Sequence, residues 1–245
     1  MKHLCLSLIS LLFCTFLIAQ DSTKTLKKNK QFVNLKNRPN DHLMLQYGVE
    51  GWANAPDSAK TSGFSRHFNV YAMFDKPFKN NQRLSLGLGV GLGTSNMFFK
   101  NKYIDLKNTG TKLPFRDVAA TNHYDKYKLT TIYLEAPIEL RYVSNPASAS
   151  KGFKAAIGFK VGTLLKAYTK GKNLVDANNT TVYGAKYIAK ESEKRFISGT
   201  RIAATARVGY GIFSLHGSYQ ITNFLRDGAG ADFRPYSVGV TISGL

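Results

Sequence analysis

Between Arg83 and Thr94 the chain alternates without interruption: Leu84, Leu86, Leu88, Val90 and Leu92 fall on one face of an extended segment, and Ser85, Gly87, Gly89, Gly91 and Gly93 fall on the other. A repeat of two belongs to a strand and not to a helix. Alternation alone leaves two barrels open: a soluble lipocalin-type barrel with the apolar face inside, and a membrane barrel with it outside. Glycine decides between them. A solvent-facing stripe of glycine weakens a strand for no gain, whereas small residues suit the crowded interior of a barrel of about eight strands. The leucine face then points outward, into lipid.

Seven further segments repeat the pattern. Leu43, Leu45, Tyr47 and Val49 oppose Met44, Gln46, Gly48 and Glu50; Phe68, Val70, Ala72 and Phe74 oppose His67, Asn69, Tyr71 and Met73. Later strands run through Ile132 to Tyr142, Phe153 to Lys166, Arg201 to Tyr210, Phe213 to Ile221 and Tyr236 to Ser243. The connections after the second, fourth and sixth strands, around residues 76–82, 143–152 and 209–211, are shorter than those after the odd strands. Short turns on one side with long polar loops on the other, and strands of about ten residues, are how transmembrane barrels are built. The expected fold is all-β: an eight-stranded antiparallel up-and-down transmembrane β-barrel over residues 42–245, with both termini in the periplasm.

The first 19 residues read as a secretory signal peptide: Lys2 and His3, an apolar run from Leu4 to Ile18, then Ala19. Both cysteines, Cys5 and Cys14, lie inside it, so the expected mature chain has no disulfide, thiolate metal site or cysteine nucleophile. Residues 20–41, with Lys24, Lys27, Lys28 and Lys30, read as a basic periplasmic segment acting as a disordered tether. The formal charge of +19 would suggest nucleic acid in a cytoplasmic protein. In an exported chain it points instead to anionic lipid headgroups and lipopolysaccharide phosphates, with no nucleic acid partner.

Strand parity directs eight charges inward: Glu135, Glu139, Arg141, Lys154, Lys160, Lys166, Arg201 and Arg207. In a narrow, partly dry lumen unpaired charges are costly, so these residues are expected to pair and fill the barrel. With Tyr142 opposite Phe153, Glu135 would face Lys160 and Arg141 would face Lys154; a two-residue shift would set Glu139 against Lys154.

Enzymatic chemistry is not expected. From Gly87 a dinucleotide fingerprint would need glycine where Leu92 stands. His42, His67, His123 and His216 show no metal-ligand spacing, so no metal and no cofactor are expected. The best catalytic candidate is His123 with Asp117 and Asp125 nearby, and nothing fixes a nucleophile beside it. The aromatic residues Trp52, Phe64, Phe98, Phe99, Tyr103, Phe115, Tyr124, Tyr183 and Tyr187 are expected mostly as interfacial anchors.

The stretch Tyr133-Leu134-Glu135-Ala136-Pro137-Ile138-Glu139-Leu140-Arg141-Tyr142, then Val208-Gly209-Tyr210-Gly211 with Ser214-Leu215 and Tyr219, and the glycine-containing last strand resemble the PorT-like family of small Gram-negative outer-membrane barrels. The resemblance implies an eight-stranded fold, an outer-membrane address, and a link to type nine secretion through the family's namesake. Barrels of this kind often end on an aromatic residue, whereas this chain reads Ile242-Ser243-Gly244-Leu245. The expected partners are outer-membrane lipid and lipopolysaccharide, the barrel-assembly machinery, and secretion-system or other envelope proteins. The expected role is structural, secretion-linked or envelope-interacting; surface recognition through the loops and lipid modification are the alternatives.

Overall fold

The structure is a computed structural model that describes residues 42–147 and 151–244. The expected signal peptide and the basic segment at 20–41 lie outside the described residues. Eleven strands follow in order: β1 (Leu43–Ala53), β2 (Arg66–Pro77), β3 (Leu84–Phe99), β4 (Lys102–Ile104), β5 (Phe115–Asp117), β6 (His123–Val143), β7 (Phe153–Val175), β8 (Ile188–Ser192), β9 (Thr200–Tyr210), β10 (Phe213–Gln220) and β11 (Arg234–Ser243). Eight of them, β6-β3-β2-β1-β11-β10-β9-β7, close into an antiparallel barrel through the β6–β7 pairing. Closure removes the free edges that an open sheet would present. The eight expected strands are all present. β4 and β5 form a small separate hairpin, and β8 adds to the far part of β7.

Parity follows the alternation in the sequence. Tyr47, Val49, Phe68, Phe74, Leu88, Val90, Leu92, Leu134, Ile138 and Leu140 are exposed, whereas Met44, Tyr71, Met73, Ser85, Tyr133 and Glu135 are buried. An apolar girdle on the outside and a polar lumen invert a soluble protein. The glycines of β3 have the steric role expected of them: a Cβ at Gly87 would strike the Arg141 guanidinium, and one at Gly93 the Glu135 carboxylate. Long charged side chains from β6 occupy the space that β3 leaves empty.

One end of the barrel carries the tight turns. The other carries residues 54–65, 100–122, 176–199 and 221–233 between strands. β6 and β7, of 21 and 23 residues, run well past their neighbours at this loop end. The β6–β7 register differs from expectation. Tyr142 lies opposite Ala155, Glu135 opposite Gly162 and Lys160 opposite Pro137. The reason lies in the turn: β6 continues to Val143, opposite Lys154, and the Ser144 hydroxyl accepts the Phe153 N–H at 2.9 Å. The slip is even, so every charge keeps its face.

A second departure changes a face. Ile132 pairs with Lys166 and Tyr133 with Leu164, so Leu165 is an extra residue, a β-bulge. Beyond it the parity of β7 reverses: Ala167 and Thr169 are buried and Lys166 and Lys172 are exposed. Lys166, expected inside, is therefore on the outer face.

Candidate functional site

The lumen has two parts. In the turn-end part, Glu135 sits at the centre with its side chain fully buried. Its carboxylate meets Lys160 Nζ at 3.3 Å and Arg201 Nη1 at 3.1 Å and accepts the Tyr71 hydroxyl at 2.5 Å. Lys160 reaches Glu135 diagonally, across the ladder and not along its rung. Nearer the turns, Glu139 accepts from Arg141 Nε at 2.8 Å and Arg207 Nη2 at 3.1 Å, while Arg141 approaches Asp75 at 3.7 Å. Glu50 adds a carboxylate 3.8 Å from Arg201. Lys154 is buried at the same end. Four carboxylates (Glu50, Asp75, Glu135, Glu139) thus share the lumen with five cations (Arg141, Lys154, Lys160, Arg201, Arg207), close to the balance that a low-dielectric interior demands.

The structure brings together seven of the eight charges named from sequence and leaves out Lys166. Sequence reasoning missed Asp75, which has the inward parity of His67 to Met73 but lies between the second strand as read and the turn at 76–82. It also left out Glu50 and Tyr71, whose parity was read correctly but whose partners come from other strands. Two of the histidines also meet. His67 and His216, 149 residues apart, face each other across the lumen with their Nε2 atoms 2.9 Å apart, and Thr241 Oγ1 bonds His216 Nδ1 at 2.9 Å. They are a buried pair and not isolated side chains. Among the described residues no group of three or more potential ligands is placed to hold a metal. His123 bonds the Thr121 carbonyl through Nδ1 at 2.9 Å, and Asp117 accepts from its own loop's Ala119 N–H.

The loop-end part is apolar. Trp52 packs against Phe233 at 4.6 Å, Phe224 at 4.9 Å and Phe99 at 5.6 Å between ring centroids, with Phe115 edge-on at 6.3 Å. Ile104, Leu106, Leu113, Phe196, Ile197 and Leu225 complete this core. Backbone hydrogen bonds tie the loops together: Leu113 N–H to Ala229 O at 2.8 Å, Ser198 N–H to Phe224 O at 2.9 Å and Arg226 N–H to Phe196 O at 2.9 Å. The Tyr127 hydroxyl takes the Ile104 N–H and donates to the Ile104 carbonyl. The Tyr103 hydroxyl donates to Glu191 at 2.7 Å, and burial together with that carboxylate holds its pKa above the ordinary phenol value. Trp52, Phe99, Phe115, Tyr103 and Tyr124, expected as interfacial anchors, instead build or flank this plug; Phe64 and Tyr183 remain exposed. Loop aromatics become a core once four loops fold over one mouth, which no local pattern announces.

Tyr133 is the seam. Its ring lies under the Arg201 guanidinium at 4.3 Å, and its hydroxyl donates to the Ser198 carbonyl of the loop above at 2.9 Å. A polar cavity lined by Glu50, His67, Asn69, Lys160, Arg201 and Gln220 among others has a volume of ≈ 20 Å³. That is space for about one water molecule.

A closed eight-stranded barrel with an apolar girdle and a charge-filled lumen defines an integral outer-membrane protein. The chain belongs to the outer membrane protein beta-barrel domain family, which matches residues 31–226. No curated protein matches it. It is also similar to solved structures of two mutants of the Rh. blastica porin. One is 9% identical, with 82% of this chain and 99% of that chain covered and a TM-score of 0.20; the other is 10% identical, with the same coverage and a TM-score of 0.19.

Proposed function

We propose that this outer-membrane barrel is a non-catalytic, non-conducting element of the envelope that acts through its folded loop end. The observation that carries this reading is the filled lumen: paired charges occupy one half, interlocked aromatic side chains the other, and a polar cavity among the charges measures ≈ 20 Å³. Planar-bilayer recording tests it directly. Silent membranes are the expected result, and steady single-channel steps from the wild-type protein would overturn the reading. The same preparation should need detergent and show heat-modifiable gel migration.

β1 begins and β11 ends at the turn end, and by the usual arrangement of short periplasmic turns and long outer loops both termini are periplasmic. Protease added to intact cells is expected to cut in the loops at 100–122 or 176–199; cleavage confined to the tight turns would invert the topology. A cleaved signal peptide predicts a mature mass starting at Gln20.

A secretion-linked role has one support, the PorT-like stretch from Tyr133 to Tyr142. In the structure that stretch supplies Tyr133, Glu135, Glu139 and Arg141 to the lumen and Leu134, Ile138 and Leu140 to the lipid face. Its residues are accounted for by building a barrel, which favours the general envelope role. Co-purification from detergent-solubilised envelope separates the two: a stable stoichiometric secretion partner would restore the narrower reading.

A further inference from the structure

Past the Leu165 bulge, β6, β7 and β8 form a flap above the apolar girdle. Its inner face, Tyr127, Leu129 and Ala167, is part of the plug. Its outer face is rich in lysines, with Thr130, Tyr168, Ile188 and Ser192 beside them. Lys128 lies directly opposite Lys170, which lies directly opposite Lys190, and Lys126 lies opposite Lys172. Like charges on facing rungs are destabilising. Among the described residues no carboxylate forms an ion pair with any of these five lysines. Their contacts are of other kinds: Lys128 Nζ donates to Asn96 Oδ1 at 2.6 Å and lies 5.9 Å from the Phe98 ring, Arg66 covers the same ring at 5.4 Å, and Lys190 lies 4.1 Å from the Tyr168 ring. A groove of ≈ 200 Å³ runs between Phe98, Lys126, Tyr127, Lys128, Lys170 and Lys172.

The position of the groove selects its occupant. Leu92, Leu134, Val161 and Leu165 are the last exposed apolar residues below it on the same strands. Lys128 and Lys170 stand four residues beyond Ile132 and Lys166, about 13 Å along strands that rise ~3.3 Å per residue and tilt away from the normal. At a tilt of about 40° that is roughly 10 Å along the normal, which sets these lysines at the outer margin of the polar headgroups, within reach of their side chains.

We propose that the outer face of β6, β7 and β8 binds the phosphate groups of an outer-leaflet lipid of lipopolysaccharide type, with Lys126, Lys128, Lys170 and Lys172 as ligands and Phe98 as the floor against which its apolar part rests. This rests on the orientation proposed above. Bound phosphate turns the repelling lysine rungs into a stabilised cluster, because each anion bridges charges contributed by separate strands.

The test uses the full mature barrel in detergent micelles, titrated with bisphosphorylated lipid A and followed by native mass spectrometry. Lys128→Glu with Lys170→Glu should weaken binding at least about tenfold, as expected from removing basic charge facing an anionic headgroup. Lys107→Glu with Lys112→Glu, which changes the net charge equally in an exposed loop, should leave it unchanged. Lipid A stripped of its phosphates should bind as poorly as the first variant does. Equal losses in both double variants, or equal binding of the stripped lipid, would overturn the site; so would displacement by inorganic phosphate at the lipid's own concentration, which would mark a soluble-anion site. If the glutamate pair fails to fold, Lys128→Gln with Lys170→Gln carries the same expectation. A heat-modifiable, micelle-embedded barrel indifferent to lipid A phosphate would sink this inference alone, whereas a wild-type protein monodisperse without detergent would sink the membrane reading beneath it.

Discussion

The two halves of the lumen share the same walls, with only β7 changing its inward parity between them, yet they are filled by opposite chemistry. The turn-end half contains charges that hold one another across the barrel, with Arg141 lying over Gly87 and Glu135 over Gly93. The loop-end half contains Trp52 and its ring of phenylalanines, roofed by segments that belong to no barrel strand. The difference follows from what each half can recruit. Strands alone line the turn-end half, and their inward side chains must reach across a fixed diameter, which favours Arg, Lys and Glu in complementary pairs. The loop-end half can draw residues from four loops and so builds an ordinary dry core. Glu135 and Trp52 should therefore fail in different ways.

The largest effect is expected at the charged half. Glu135→Ala leaves Lys160 and Arg201 facing each other without their shared carboxylate and should cost about 3 to 5 kcal/mol in urea unfolding from lipid vesicles. Adding Lys160→Ala should recover part of the loss, since one of the stranded charges is gone. Strictly additive losses would show that the pair is not coupled. Trp52→Ala comes next, at about 3 kcal/mol for a large ring removed from a packed core, but its signature should be local: faster protease cleavage in the loops, with heat-modifiable migration kept. If the whole barrel loses that migration, the halves are not separable.

Gly93→Ala is expected to be milder, about 1 to 3 kcal/mol from overpacking against the Glu135 carboxylate. Combined with Glu135→Ala it should cost less than it does alone, because the atoms it strikes have been removed; an unchanged cost would place the strain in the backbone of β3. Lys166→Leu should change stability by no more than about 0.5 kcal/mol, as for other exposed positions. A loss on the scale of Glu135→Ala would return Lys166 to the lumen and remove the bulge.

The walls were legible because lipid enforces the alternation along every strand: Leu84 to Leu92 and Ile132 to Tyr142 state their faces residue by residue. The turn-end network was legible for the same reason, as parity alone put Glu135, Glu139, Arg141, Lys160, Arg201 and Arg207 inside. Partners were not legible. The register depends on where β6 hands over to its turn, which the Ser144 hydroxyl decides, and the meeting of His67 with His216 depends on closure of the whole ring. The plug was hidden for a related reason: Trp52, Phe99 and Phe233 lie far apart in the chain, at the ends of strands, where an anchor and a core residue look alike. The bulge left no mark either, since Leu164 and Leu165 are two leucines where glycine or proline would have signalled a break.

Leu165 acts on β7 as a change of reading frame. Before it, odd-numbered residues are written for hydrocarbon and even-numbered ones for the lumen; after it, the even-numbered positions, Lys166, Lys170 and Lys172, are addressed to the outside. Deleting this one leucine would leave Leu164 opposite Tyr133 and Lys166 opposite Ile132 in strict alternation, so every later residue would keep its face. Counted straight through without the bulge, the strand would turn its lysines into the aromatic plug and Ala167, Thr169 and Gly171 out, so one inserted leucine is what lets the roof and the charged outer face share a strand.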